Sequence, residues 1–222
     1  MIRLASTERA YPWGVLRSTH ASKVKFALVA KGVPFEMERV RPGDLWKKPP
    51  EMRVVHPHAK VPWIVDDGFG VFDSTVIVEW LEDRYPEPPL LPTDPQGRAD
   101  ARMVETYVDD ALLMGALPGI WMPLWQPPEN RDAAAQERAR DQLRSEALPW
   151  LEARLADGRE WMCGAFTLAD VALAPTAMVL HVDGTALDDL PHFAAYLDRL
   201  RARDAYAAIS PETSLEDSER YG

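Results

Sequence analysis

The 222-residue chain carries 35 acidic against 25 basic side chains, a formal charge of −10. No basic cluster is longer than a pair such as Lys47-Lys48, which excludes a nucleic-acid backbone as partner, because such a partner requires several grouped cations to displace its counterions. Hydrophobic residues make up 46%, enough for one large core or two ordinary ones, but no apolar run approaches the roughly 20 residues of a membrane span.

The single cysteine, Cys163, permits no internal disulfide and fits a reducing compartment. The opening "MIRLASTERAYPW" lacks a basic-then-apolar leader, so a cytoplasmic protein is expected. Ile2–Ser6 reads as a short strand, and residues 7–17, "TERAYPWGVLR", as a loop. A helix follows: Ser18 or Thr19 caps it, Ala21, Val24, Ala27 and Leu28 share a face, and Gly32 stops it. "PFEMERV" is a second strand, followed by a polar loop with a short helix around Leu45–Met52. Val61–Val65 and Phe69–Phe72 flank Asp66-Asp67-Gly68, a hairpin signal. Ser74 then caps a helix with Val76, Ile77, Trp80 and Leu81 inward.

This gives the order β-α-β-α-β-β-α, an α/β domain over residues 1–86. "YPEPPLLPTDPQG" places five prolines between Tyr85 and Gly97, where neither helix nor strand propagates; residues 87–97 are read as a linker. Residues 98–222 read as an all-α bundle, with helices at Gly97–Leu117, Arg131–Ala156, Thr167–Leu180 and through Leu190–Ala208, and with "SPETSLEDSERYG" as a tail.

One stretch raises a chemical question. Pro62 heads the apolar strand of "HPHAKVPWIVDDGFGVFDST", where proline removes a ladder donor. Taken alone, it is a trans proline at the start of an edge strand, since only about 5% of X-Pro bonds are cis. His56-Pro57-His58 offers two metal ligands without an evident third, so no metal site is expected.

Four segments, in order, carry a family resemblance: "STHASKVKFALVAKGVPFE", "HPHAKVPWIVDDG", "VFDSTVIVEWLEDRYP" and "FTLADVALAP". Together they resemble the cytosolic glutathione transferase (glutathione S-transferase) superfamily, in a serine-type, bacterial-like form. The resemblance implies a thioredoxin-like N-terminal domain followed by an all-helical one, with glutathione as co-substrate and a homodimeric assembly. It also implies a cis Val61–Pro62 bond that presents the Val61 N–H and C=O to the cysteinyl unit of glutathione. Ser74 and the helix start behind it would hold the γ-glutamyl carboxylate, and Asp73 its ammonium. Lys60 and Lys47 would meet the glycyl carboxylate.

The thiol of glutathione resembles a cysteine, with a pKa near 8.5. Lowering it by about two units takes roughly 2.7 kcal/mol of anion stabilisation. One hydroxyl donor, worth about 1.5–3 kcal/mol to a charged acceptor, supplies most of that. Ser18 holds the place of the catalytic serine in theta- and zeta-like members. The long stretch before it keeps Tyr11 as a second candidate, since other classes use a tyrosine from this region. Trp13, Met103, Tyr107, Met114, Trp121 and Trp125 are candidates for a hydrophobic electrophile pocket between the domains. The activity implied is attack of the glutathione thiolate on an apolar electrophile. Glutathione-dependent β-aryl ether cleavage is an alternative within the family, and a non-catalytic binding or stress-response protein is an alternative outside enzymology. "STHASKV" lacks the Ser-Ser-Cys pattern of zeta-like isomerases.

Overall fold

The computed structural model describes residues 1–12 and 14–219. They divide into two compact units, residues 1–89 joined by the segment from 204 onward, and residues 90–203.

In the first unit a four-stranded sheet has the order β4-β1-β5-β6. Strand β1 (Ile2–Ser6) pairs parallel with β4 (Phe35–Arg39) and antiparallel with β5 (Trp63–Asp66). Strand β6 (Phe69–Phe72) pairs antiparallel with β5. Residues 8–11 and 14–17, expected as loop, are strands. They form a hairpin of β2 (Glu8–Tyr11) and β3 (Gly14–Arg17), which pairs Glu8 with Arg17 at its base and Tyr11 with Gly14 at its tip. The hairpin buries Val15, Leu16 and Arg17.

Helix α1 (Thr19–Ala30) buries the expected Ala21, Val24, Ala27 and Leu28, and also Ser22, Lys23 and Lys25. Its outer side is covered because α3 (Ser74–Arg84) and the late α10 (Asp204–Ala207) both pack on it. Each buried lysine finds a partner on a neighbouring element. Lys23 Nζ donates to Thr75 Oγ1 at 3.0 Å, Lys25 Nζ lies 3.5 Å from Glu8 Oε1, and Lys31 Nζ lies 2.7 Å from Glu82 Oε2. Burial is the main force holding the Lys25 ammonium down to about 8, and Glu8 only partly offsets it. The inward face of α3 is Ile77, Val78, Leu81 and Glu82, while Val76 is exposed rather than inward. The turn at Asp67 and Gly68, with φ of 48° and 86°, has the left-handed geometry a two-residue hairpin demands. The polar stretch between β4 and β5 contains α2 (Pro42–Lys47) and a 3₁₀ turn over Pro50–Val54.

The expected tail belongs to this unit. Pro211 O accepts from the Val15 N–H at 2.8 Å, and the Arg17 guanidinium donates to Ser210 O and Thr213 O. Residues 98–222 are therefore not one helical body, because the chain from 204 onward returns to the sheet unit.

The second unit is helical. Helix α4 (Pro95–Tyr107) starts at Pro95 behind the Asp94 cap, inside the stretch read as linker. It continues through a π-helical stretch, Val108–Ala116, into α5 (Leu117–Leu124). A Cβ on Gly115 would lie 2.9 Å from Asp110 O, five residues back, so the wide turn needs the glycine. Helix α6 (Ala133–Gln142) and α7 (Leu148–Leu155) likewise join through a π stretch. Helix α8 (Leu168–Asp183) is buried from Leu168 to Leu180 and forms the centre, flanked by α9 (Pro191–Arg201). Its start is a capping box: Ala169 N donates to Thr167 Oγ1, and Asp170 returns to the Thr167 N–H. Leu90 and Leu91, also within the expected linker, are buried here, and Leu90 O accepts from the Leu168 N–H. Among the described residues no helix is long and apolar enough to cross a membrane.

Candidate functional site at one end of the sheet

The register brings the candidate residues of the first unit to a single sheet end. Ala5 of β1 lies opposite Trp63 of β5, and Trp63 opposite Phe72 of β6. The end of β1, the start of β5 and the end of β6 are therefore neighbours. Thr7, just past β1, accepts from the Ser18 N–H at 3.0 Å, which sets the start of α1 at this end. Asp73 and Ser74, just past β6, set the start of α3 there too.

Ser18 is the N-cap of α1, and its Oγ accepts from the Ala21 N–H at 3.4 Å. As an acceptor the hydroxyl keeps its own proton for donation. Tyr11 sits at the far tip of the hairpin, under the Arg9 guanidinium, 5.0 Å from its ring centre. Tyr11 stands three residue steps from Glu8 at the base, about 10 Å along the hairpin. Trp13 lies outside the described residues.

The Val61–Pro62 bond is cis. The strand begins at Trp63, so Val61 stands before the ladder, and among the described residues its N–H and C=O have no backbone partner. Its side chain packs on a small core of Ala5, Val40, Met52, Ala59 and Trp63, which fixes the residue without using its peptide groups.

Asp73, rather than Ser74, caps α3: its carboxylate accepts from Thr75 N at 3.0 Å and from Val76 N at 3.3 Å. Its φ of +75° lies in the left-handed region, where a non-glycine residue costs about 1–3 kcal/mol and which recurs at ligand sites. Ser74 is buried as the first helical residue. With Thr75 and Val76 satisfied by Asp73, the N–H at the head of the helix belongs to Ser74. Lys60 and Lys47 are exposed, on the loop before Val61 and on α2.

His56 carries a structural role that the sequence reading missed. Its ring is buried against Phe72, centroids 4.7 Å apart, and its Nδ1 accepts from the His58 N–H at 3.1 Å. Burial, then the charges of His58 and Lys60, hold its pKa below the ordinary value, which suits that acceptor role. The loop leading to Lys60 and Val61 is thus pinned from inside. Among the described residues no group of His, Cys, Asp and Glu could hold a metal ion.

In the helical unit, Met103 on α4 and Met114 in the π stretch are exposed. The Tyr107 hydroxyl donates to Ala147 O at 2.7 Å, and its ring packs against Trp150. Trp121 is buried, and Trp125 ends α5 half-buried, with Pro123 inside the last turn. Tyr107 and Trp121 therefore serve the packing of this unit.

The family of glutathione S-transferase N-terminal domains matches residues 13–89, and that of glutathione S-transferase C-terminal domains matches residues 133–199. A maleylacetoacetate isomerase of Pseudomonas aeruginosa is 31% identical over 214 residues, 89% of this chain and 95% of that protein. The chain belongs to the glutathione S-transferase family.

It is also 29% identical over 210 residues to a stringent starvation protein A homolog of Haemophilus ducreyi, covering 90% of this chain and 91% of the relative. Among solved structures, a Methylobacterium radiotolerans glutathione S-transferase in complex with glutathione sulfonate is 30% identical. The likeness covers 96% of each chain with a TM-score of 0.72. The mixed-sheet unit followed by helices is the glutathione S-transferase fold.

Proposed function

We propose that the protein binds glutathione at the sheet end where α1 and α3 begin, and activates its thiol for attack on a hydrophobic electrophile. The observation that carries this reading is the convergence of two helix N-termini with the unpaired backbone of Val61. The γ-glutamyl carboxylate accepts from the Ser74 N–H and hydroxyl, and Asp73 faces its ammonium. The cysteinyl unit pairs with Val61 beside Pro62. Lys60 and Lys47 take the glycyl carboxylate.

Ser18 then donates to the sulfur, with the N-terminus of α1 adding up to about 1 kcal/mol of anion stabilisation. The hairpin register favours Ser18 over Tyr11, which stands at the wrong end. Catalysis is mainly positioning of thiolate and electrophile. Met103 and Met114 are exposed on the helical unit, which leaves them available as electrophile contacts. Calorimetric titration with glutathione, followed by turnover of an activated aryl halide, tests the reading. Micromolar to millimolar binding with turnover is expected, and absence of binding overturns it.

We further propose a cytoplasmic homodimer, in which the helices starting at Ser74 and near Gly97 pack across a two-fold axis. The exposed Phe72 at the end of β6 and Val76 on α3 give apolar surface for this. Equilibrium sedimentation at micromolar concentration should return twice the chain mass, and a clean monomer contradicts it.

A second reading is favoured by the relatives named stringent starvation protein A homologs. In it the same site binds glutathione but the protein acts by binding rather than turnover. Saturable glutathione binding without turnover of any electrophile tested would select it.

A further inference from the structure

The geometry points to Arg17 as a positioning residue that fixes Ser18 by clamping the C-terminal segment against the hairpin. This rests on the reading of Ser18 as the thiolate donor.

Arg17 directly precedes Ser18 and is fully buried. Its Nε lies 3.3 Å from Glu8 Oε1, its partner across the hairpin. Its two terminal nitrogens donate to carbonyls nearly two hundred residues away, Nη1 to Ser210 O at 2.6 Å and Nη2 to Thr213 O at 2.8 Å. Around it the same segment is tied at two further points. Pro211 O accepts from the Val15 N–H at 2.8 Å, and Leu215 O accepts from Arg39 Nη2 at 2.9 Å. Gly14 permits the approach: with φ of +147°, a Cβ there would lie 2.8 Å from Pro211 O.

The consequence falls on the next residue. The hairpin ends with the Glu8–Arg17 pair, and one step on Thr7 O holds the Ser18 N–H. The chain entering α1 is therefore fixed by the hairpin on one side and by the clamped segment through Arg17. A hydroxyl that must point at a sulfur tolerates an error of only about 0.5 Å. A planar guanidinium reaches a carboxylate and two carbonyls at once, whereas an ammonium lacks that fork. Val61, Asp73 and Ser74 make none of these contacts, so glutathione affinity and thiol activation should separate.

The test is the ultraviolet thiolate band of bound glutathione titrated against pH, with steady-state kinetics, in Arg17→Lys, Gly14→Ala and Ser18→Ala. Arg17→Lys keeps the charge facing Glu8 and loses the fork. Gly14→Ala pushes Pro211 away without touching Arg17 or Ser18, and carries the test alone if Arg17→Lys does not fold. Both should titrate about one pH unit higher than wild type, with turnover at pH 7 down about ten-fold. The KM for glutathione should stay within about two-fold. If Ser18→Ala shifts the titration while Arg17→Lys and Gly14→Ala leave it at the wild-type value, the positioning role is refuted and the donor stands. If Ser18→Ala itself does not shift, the donor assignment fails and the role of Arg17 with it.

Discussion

Lys23 Nζ, on a side chain with no solvent exposure, donates to Thr75 Oγ1 at 3.0 Å and joins the second turn of α1 to the first turn of α3. The two helices whose N-termini make the candidate site are thereby held in register close to their starts. Eight residues on, at the C-cap of α1, Lys31 repeats the tie at the other end of α3 through Glu82.

The first prediction concerns the start of α3. Asp73→Ala removes the acceptor for Thr75 N and Val76 N and places alanine at φ +75°; Ser74→Ala removes only a hydroxyl. Each should weaken glutathione binding by about 1–3 kcal/mol, because each leaves a charged group of the ligand short of a partner. Calorimetric titration checks this. Wild-type affinity in both variants would contradict the assignment of the γ-glutamyl site.

The second concerns stability. Lys31 is almost wholly buried and donates to Glu82 and to Pro88 O. Lys31→Met should destabilise the protein by about 3 kcal/mol, since a buried carboxylate loses its cation. Adding Glu82→Leu should recover most of the loss. Urea denaturation of the two variants and wild type measures it, and additive losses would contradict the pairing.

These lysines also mark the limit of what the sequence makes legible. The order of elements around the sheet, the Asp-Asp-Gly turn and the Thr167–Asp170 capping box follow from local signals: alternation, turn residues and cap spacing. Lys23, Lys25 and Lys31 look like the polar face of an amphipathic helix, because the groups that take them up, Thr75 and Glu82 on α3 and Glu8 on the hairpin, lie on other elements of the chain. The hairpin of β2 and β3 is hidden for a similar reason. Its alternation is short, and its pairing is completed by Arg17 reaching Ser210 and Thr213. The C-terminal segment reads as a tail because its partners are a backbone N–H and two arginines, Arg17 and Arg39, which leave no apolar pattern. Ser18, Val61, Asp73 and Ser74 enter the candidate site through the resemblance, whereas the capping role of Asp73 and the pinning of the loop by His56 depend on backbone geometry.

The third prediction concerns pH. Asp170 accepts from Met162 N, Thr167 N and the Tyr196 hydroxyl, yet its complete burial favours the protonated form and raises its pKa from 3.8 to about 6. A carboxyl raised on folding contributes stability that is fully present below about pH 3.8 and is lost as pH rises through about 6. Wild type should therefore lose stability relative to Asp170→Asn between about pH 4 and 6, and the two should run parallel above about pH 7. Urea midpoints across that range read the difference, and a constant gap would contradict it.

The central claim is that the Ser18 hydroxyl holds the glutathione thiolate. The most direct measurement is the ultraviolet thiolate band of bound glutathione, titrated against pH in wild type, Ser18→Ala and Tyr11→Phe. Ser18→Ala should raise the bound thiol's pKa by about one to two units, the worth of one charge-assisted bond, with glutathione affinity little changed. Turnover of an aryl halide at pH 7 should fall about ten- to a hundred-fold and partly recover at higher pH. Tyr11→Phe should titrate like wild type. A wild-type titration in Ser18→Ala, with the shift appearing in Tyr11→Phe or in neither variant, would contradict the claim.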